Sequence, residues 1–161
     1  MKRIVSVILL MLLTLSFCSC GDGGGEETGP SNSEIYRQKR EAFRSSEVYE
    51  KALGYVDGVF TDLVPGCTVE RSLEPGDLID SDLSEFADFD DAETRKDFFS
   101  KADLSFKVDF WNFGYEAEAF AKELTSRGIS GRMAAGENSG GDCYRLDAVN
   151  GTAVFERQPE A

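Results

Sequence analysis

The chain has 161 residues, 30 of them acidic and 17 basic, with no histidine and a formal charge of −13. That charge repels phosphate backbones and anionic lipid surfaces, and no Lys/Arg cluster opposes the average, which argues against nucleic acid as a direct ligand; a basic partner is electrostatically plausible, the alternative being that the acid merely keeps a small exported domain soluble. The absence of histidine excludes Ser-His-Asp and Cys-His catalysis and removes the commonest metal ligand, and too few cysteines remain for a zinc site.

The chain starts MKRIVSVILLMLLTLSF: Lys2 and Arg3 precede an apolar run from Ile4 to Phe17. Those fourteen residues fall short of the roughly 20 that span a bilayer, whereas a basic start, a short Leu-rich middle and small residues after it read as a secretory signal. The following Phe17-Cys18-Ser19-Cys20 resembles a bacterial lipoprotein signal, in which a cysteine follows a short apolar and small-residue box. Small Ser19 before Cys20 makes Cys20 the better acceptor than Cys18, which follows bulky Phe17; the pattern departs from the family at Phe17, where leucine is usual. The resemblance implies a signal at 1–19, fatty acid on Cys20, and a protein held on a bacterial envelope membrane without crossing it. More than one acyl chain makes such anchoring stable, at about 0.8 kcal/mol per buried CH₂. Removal of Lys2 and Arg3 leaves 15 basic against 30 acidic residues, a mature charge near −15.

Residues 20–33 then form a tether, because GDGGGEETGPSNS lacks core-forming side chains; its reach is about 20 Å. Residues 34–161 fit one domain, with 12 Phe, 5 Tyr and 1 Trp for its core. Cys67 and Cys143 remain after processing. In an exported compartment a disulfide is their simplest use, two free buried thiols being the alternative. The bridge would close a loop of 76 residues, for which the chain-entropy model gives about 4–5 kcal/mol.

Ser31-Asn32-Ser33-Glu34 fits a capping box, and a helical pattern follows, with Ser45-Ser46 dividing off a first helix at 34–44. Tyr49, Ala52, Leu53, Val56, Phe60 and Leu63 recur at helical spacing until Pro65-Gly66. Pro75-Gly76 marks a turn, and Asp90 with Glu93 suggests a capping box for AETRKDFFSKA. The acids Asp77, Asp80, Asp82, Asp88, Asp90 and Asp91 invite calcium, but they lack the glycine and terminal glutamate of an EF-hand loop and read as a solvated surface. No other cofactor is expected.

From Leu104 the pattern is sharper. LSFKVDFWNF alternates, with Phe106, Val108 and Phe110 on one face and Lys107 and Asp109 on the other. Ala117, Phe120, Ala121 and Leu124 then form a helical stripe stopped by Gly128. ISGRMAA, CYRLDAV and TAVFE read as further strands, the last two joined by Asn150-Gly151 as a type I′ hairpin signal. The expected architecture is α+β, helices on one face of an antiparallel sheet, in a ferredoxin-like or related sandwich. Trp111, Phe113 and Tyr115 offer an aromatic cluster suited either to a partner contact or to packing beneath a helix.

Across residues 104–149, Phe110 and Trp111 followed by Glu116, Ala117, Phe120, Ala121, Leu124 and Gly128 resemble the type B family of regulators of ribonuclease E activity. The resemblance implies a ferredoxin-like fold and non-enzymatic action by binding another protein. Those regulators act on a cytoplasmic nuclease, so the nuclease itself is not carried over to an exported chain. The expected function is that of a non-enzymatic, lipid-anchored envelope protein with a basic or envelope protein partner. The alternative is a secreted carboxylate-dependent hydrolase, with Asp109 one candidate acid among many.

Overall fold

A serine decides where the first long helical stretch divides. In a computed structural model, which describes residues 30–65, 69–108, 117–135 and 142–156, helix α1 (Asn32–Arg44) ends where Ser46 leaves helical geometry and caps α2 (Glu47–Leu63). The Ser46 hydroxyl accepts from the Tyr49 amide at 3.2 Å and donates to the Phe43 carbonyl at 2.7 Å, so one side chain joins both helix ends. Ser31 lies directly before the first helical residue, two positions earlier than the expected start. The chain divides between Ser31 and Asn32, and every element described here belongs to the second unit.

Strand β1 (Glu70–Glu74) follows, then 3₁₀ turns at Gly76–Asp80 and Leu83–Phe86, helix α3 (Ala92–Lys101), strand β2 (Asp103–Val108), helix α4 (Ala117–Ser126) and strands β3 (Gly131–Ala135), β4 (Asp142–Asp147) and β5 (Thr152–Glu156). The cap of α3 is Asp91 rather than Asp90: its carboxylate accepts from the Thr94 amide at 2.8 Å, while the Asp90 carbonyl accepts from Arg95. Strand β1 was not anticipated, because a five-residue run with three charges lacks the apolar alternation of a half-buried strand.

The sheet order is β1-β2-β3-β4-β5. All neighbours are antiparallel except β2 and β3, which run parallel with α4 between them in sequence, so the wholly antiparallel sheet expected is not found. A two-layer α+β architecture is present. The repeated, split βαβ arrangement of a ferredoxin-like fold is not, since β2 and β3 are immediate neighbours with no strand between them. Their close approach needs Gly131, whose φ of +149° favours glycine and where a Cβ would collide with the Leu104 carbonyl.

One sheet face carries Leu73, Leu104, Phe106, Val108, Met133 and Leu146, all buried. Phe60 of α2 meets Phe106 at 5.3 Å and Phe120 of α4 at 5.6 Å between ring centroids, which lays both helices on that face. Phe98 of α3 is fully buried among Phe43, Phe86, Phe89 and Phe99, at 5.3 to 6.3 Å. The expected α4 stripe is present: Phe120, Ala121 and Leu124 are fully buried, and Gly128 adopts φ +82° beyond the helix end.

The hairpin differs from a type I′ turn. That turn needs positive φ at both central residues, yet Gly151 (φ +66°) alone has it and no non-glycine residue described does. Asp147 pairs with Thr152, leaving a four-residue loop, Ala148–Gly151, closed by the Asp147 carboxylate accepting from the Asn150 amide (3.0 Å) and side chain (2.6 Å).

Candidate functional site

The other sheet face is open. Ser72, Ser105, Arg132, Arg145 and Val154 are successive neighbours across the five strands, and all five are exposed. An exposed antiparallel face is ordinary in itself. The two sheet edges are not alike.

Edge strand β1 is guarded by charge. Arg71 donates to Asp57 of α2 at 2.5 Å, and Glu74 accepts from Arg40 Nε at 2.5 Å and Nη2 at 2.6 Å, with Arg44 on the same carboxylate. Charged and covered residues of this kind stop a second strand from adding. Edge strand β5 has no charge from Thr152 to Phe155, and its one charged residue, Glu156, is taken up by Arg145 Nε at 3.2 Å.

Among the described residues five large apolar side chains are exposed, and three of them, Val149 (57%), Val154 (46%) and Phe155 (46%), belong to the β4–β5 hairpin. Val154 lies on the open face. Phe155 lies on the helix-bearing face beside Tyr144, 5.5 Å between centroids, beyond the helices' full cover. An open depression of about 490 Å³ adjoins this edge, bordered by Ser100, Ser130, Arg145, Asn150, Thr152 and Val154. Among the described residues, the hairpin therefore offers exposed apolar side chains at an edge whose one charge is ion-paired, with a polar rim: the features by which an extended segment adds to a sheet.

Five of the described acids are held as carboxylates by their neighbours. Glu74 is held below the ordinary carboxylate range by the Arg40 guanidinium, Asp82 and Asp91 by the amides of Ser84 and Thr94, Glu118 by Lys122, and Asp147 by the Asn150 side chain. A general acid needs the opposite shift. Asp77, Asp80, Asp82, Asp88, Asp90 and Asp91 are all exposed, with Asp80 bound by Lys39 and two others spent on caps. Among the described residues no group of three or more acids, cysteines and histidines is arranged to hold a metal ion.

Cys143 stands buried in β4 between Ala134 and Glu156 as a free thiol, its pKa pushed up by burial and by the nearby Glu156 charge. Cys67 lies outside the described residues, as do Cys20, Asp109 and the aromatic cluster Trp111, Phe113 and Tyr115. Sequence reasoning missed the hairpin edge. Its signal is Val154-Phe155: adjacent apolar residues in a strand point to opposite faces, and a terminal edge strand over a one-faced core cannot cover both.

Comparison with protein families, with curated proteins and with solved structures returns no match. Among the described residues no helix is long and apolar enough to cross a membrane.

Proposed function

We propose that this chain is a non-enzymatic, lipid-anchored protein of the bacterial envelope whose domain engages a protein partner through the β5 edge. The observation that carries the reading is the contrast, among the described residues, between the charge-guarded β1 edge and the β5 edge, whose one charge, Glu156, is paired with Arg145 and where Val149, Val154 and Phe155 are exposed. A partner strand laid along β5 gains main-chain hydrogen bonds and covers Val154 on one face and Phe155 on the other.

The N-terminal pattern supplies the place: a signal at 1–19, fatty acid on Cys20, and a tether at 20–33 that stands the domain off the headgroups. The mature charge near −15 attracts a basic envelope protein at long range, while the hairpin supplies the short-range contact. Glu74 and Asp147, held below the ordinary carboxylate range, are unsuited to act as general acids.

The test is a photo-activatable side chain in place of Val154, with a second chain carrying it at exposed Glu93 as control. Irradiation of cells should give a discrete covalent adduct from position 154 and none from 93. Equal labelling from both positions, or none from 154, would refute the edge as a contact. Mass measurement of the N-terminal peptide tests the anchor separately: acyl mass on Cys20 is expected, and an unmodified chain beginning at Met1 overturns it.

A further inference from the structure

We infer that the open face of the sheet binds a small polyvalent oxyanion of the phosphate class at Lys107, Arg132 and Arg145. These residues are scattered in the sequence, and the strand registers bring them together. Ser105, Arg132 and Arg145 are successive neighbours across β2, β3 and β4, and Lys107, opposite Ala134, lies diagonally from Arg132 on the same face.

The other cations of the domain are spoken for. Among the described residues every lysine and arginine but two has a carboxylate within 3.8 Å, or in the case of Arg95 two carbonyl oxygens. The two exceptions are Lys107 and Arg132, on adjoining strands. With 30 acids to 17 bases in the chain, neither cation lacks a partner for want of carboxylates. Arg132 also stands directly opposite Arg145, and like charges so placed destabilise a strand pair. Glu156 offsets this at Arg145, at 3.2 Å, and nothing described offsets it at Arg132.

The acids on this face leave the cations uncovered. Glu70 lies opposite Lys107 on β1 and makes no ion pair with it. Asp103 and Asp147, each one strand over and two residues along, make none with Arg132, and the Asp147 carboxylate is bound by Asn150. An open depression of about 350 Å³, bordered by Ser72, Ser105, Lys107 and Ala134, adjoins the pair, and its small side chains leave room between Lys107 and Arg132.

The donor set fits a tetrahedral anion. A guanidinium fork meets two oxygens of a phosphate, an ammonium group meets a third as a point charge, and a serine hydroxyl can donate to what remains. A monocarboxylate offers two oxygens and one charge, which leaves one of the two cations unmatched. The acidic surface repels anions at a distance, but at physiological salt that field fades over about 8 Å. A small ion therefore answers to the groups it touches. The site does not use the β5 edge and stands apart from the reading of that edge as a protein contact.

The experiment is calorimetric titration and thermal unfolding of the full chain in a non-ionic detergent at low salt, with pyrophosphate as the probe. Wild type is compared with Arg132→Gln, Lys107→Gln and, as control, Lys122→Gln, which removes an α4 lysine held by Glu118. Wild type and Lys122→Gln should bind pyrophosphate and melt higher in its presence, and the other two should bind about tenfold more weakly or worse. Without pyrophosphate Arg132→Gln should be at least as stable as wild type, because it relieves the Arg132–Arg145 opposition; this also shows that it folds. No binding by wild type, unchanged affinity in Arg132→Gln, an equal loss in Lys122→Gln, or an equal response to acetate at matched ionic strength would overturn the inference. So would an Arg132→Gln chain that melts lower than wild type without the anion. Repeating the titration in phosphatidylglycerol vesicles separates two sources of the same chemistry: a response kept there marks a free phosphate compound, and a response lost there but present in detergent marks the lipid headgroup. Capture of a protein by the photo-activatable group at 154 reads the β5 edge alone, so failure of either reading is seen without the other.

Discussion

Arg40 of α1 grips Glu74 of β1 with both ends of its guanidinium, Nε to Oε2 at 2.5 Å and Nη2 to Oε1 at 2.6 Å. The pair joins the first helix to the sheet and occupies the edge that would otherwise accept a strand. It also makes part of the stability sensitive to acid. Glu74 is held below its ordinary pKa of 4.5 chiefly by that hydrogen bond, so its contribution is present above that value and is lost as pH falls through the lower folded value. We predict that Glu74→Gln is less stable than wild type at neutral pH by about 1 kcal/mol. Denaturant unfolding should show the gap closing as the pH falls below the ordinary carboxylate range; a gap independent of pH would contradict the linkage.

Phe98 should be among the most costly residues to truncate. It is fully buried and its ring meets four others, so Phe98→Ala leaves a cavity that α1, α3, the second 3₁₀ turn and Phe89 surround. The expected loss is about 3–5 kcal/mol, read from the midpoint of denaturant unfolding. A loss below about 1 kcal/mol would mean that the aromatic cluster does not hold these elements together.

Two glycines should respond with opposite sign. Gly131→Ala meets the Leu104 backbone at a φ of +149° and should destabilise by roughly 1–3 kcal/mol. Gly54→Ala, in the interior of α2 with open space around the added methyl, should stabilise by about 0.5–1 kcal/mol. Thermal melts of the two variants check both signs.

The cysteines separate two states of the mature protein. With a Cys67–Cys143 bridge, the exported chain should show no titratable thiol from this pair until reduced, and Cys67→Ala should cost about 2–4 kcal/mol while leaving membrane attachment intact. Without the bridge, Cys143 should resist alkylation in the folded state, because burial keeps its thiol protonated. Thiol counting before and after denaturation decides between them.

The elements most legible in the sequence were those whose apolar spacing is strict. Phe106 and Val108 alternate, Phe120, Ala121 and Leu124 fall on one helical stripe, and each set is buried where its period places it. Less legible were elements fixed by polar chemistry. The α3 cap shifted by one residue because Asp90 and Asp91 are equally good candidates locally, and Asp91 alone meets the Thr94 amide. Asn150-Gly151 suggested a two-residue turn, but the Asp147 carboxylate binds Asn150 and holds a four-residue loop instead. Strand β1 was hidden by its charges, and those charges guard the edge. The strand order followed from no local pattern, because adjacency of β2 and β3 depends on a backbone approach at Gly131 that hydrophobic periodicity does not record.

Whether β5 carries a docked strand is tested most directly by amide hydrogen exchange across Thr152–Glu156 in the full chain held in its membrane. In an antiparallel edge strand alternate amides face away from the neighbouring strand and exchange freely until another strand binds them. Slow exchange at those amides in wild type, turned fast by Val154→Lys, is the result expected. Equally fast exchange in both would mean that the edge stands empty.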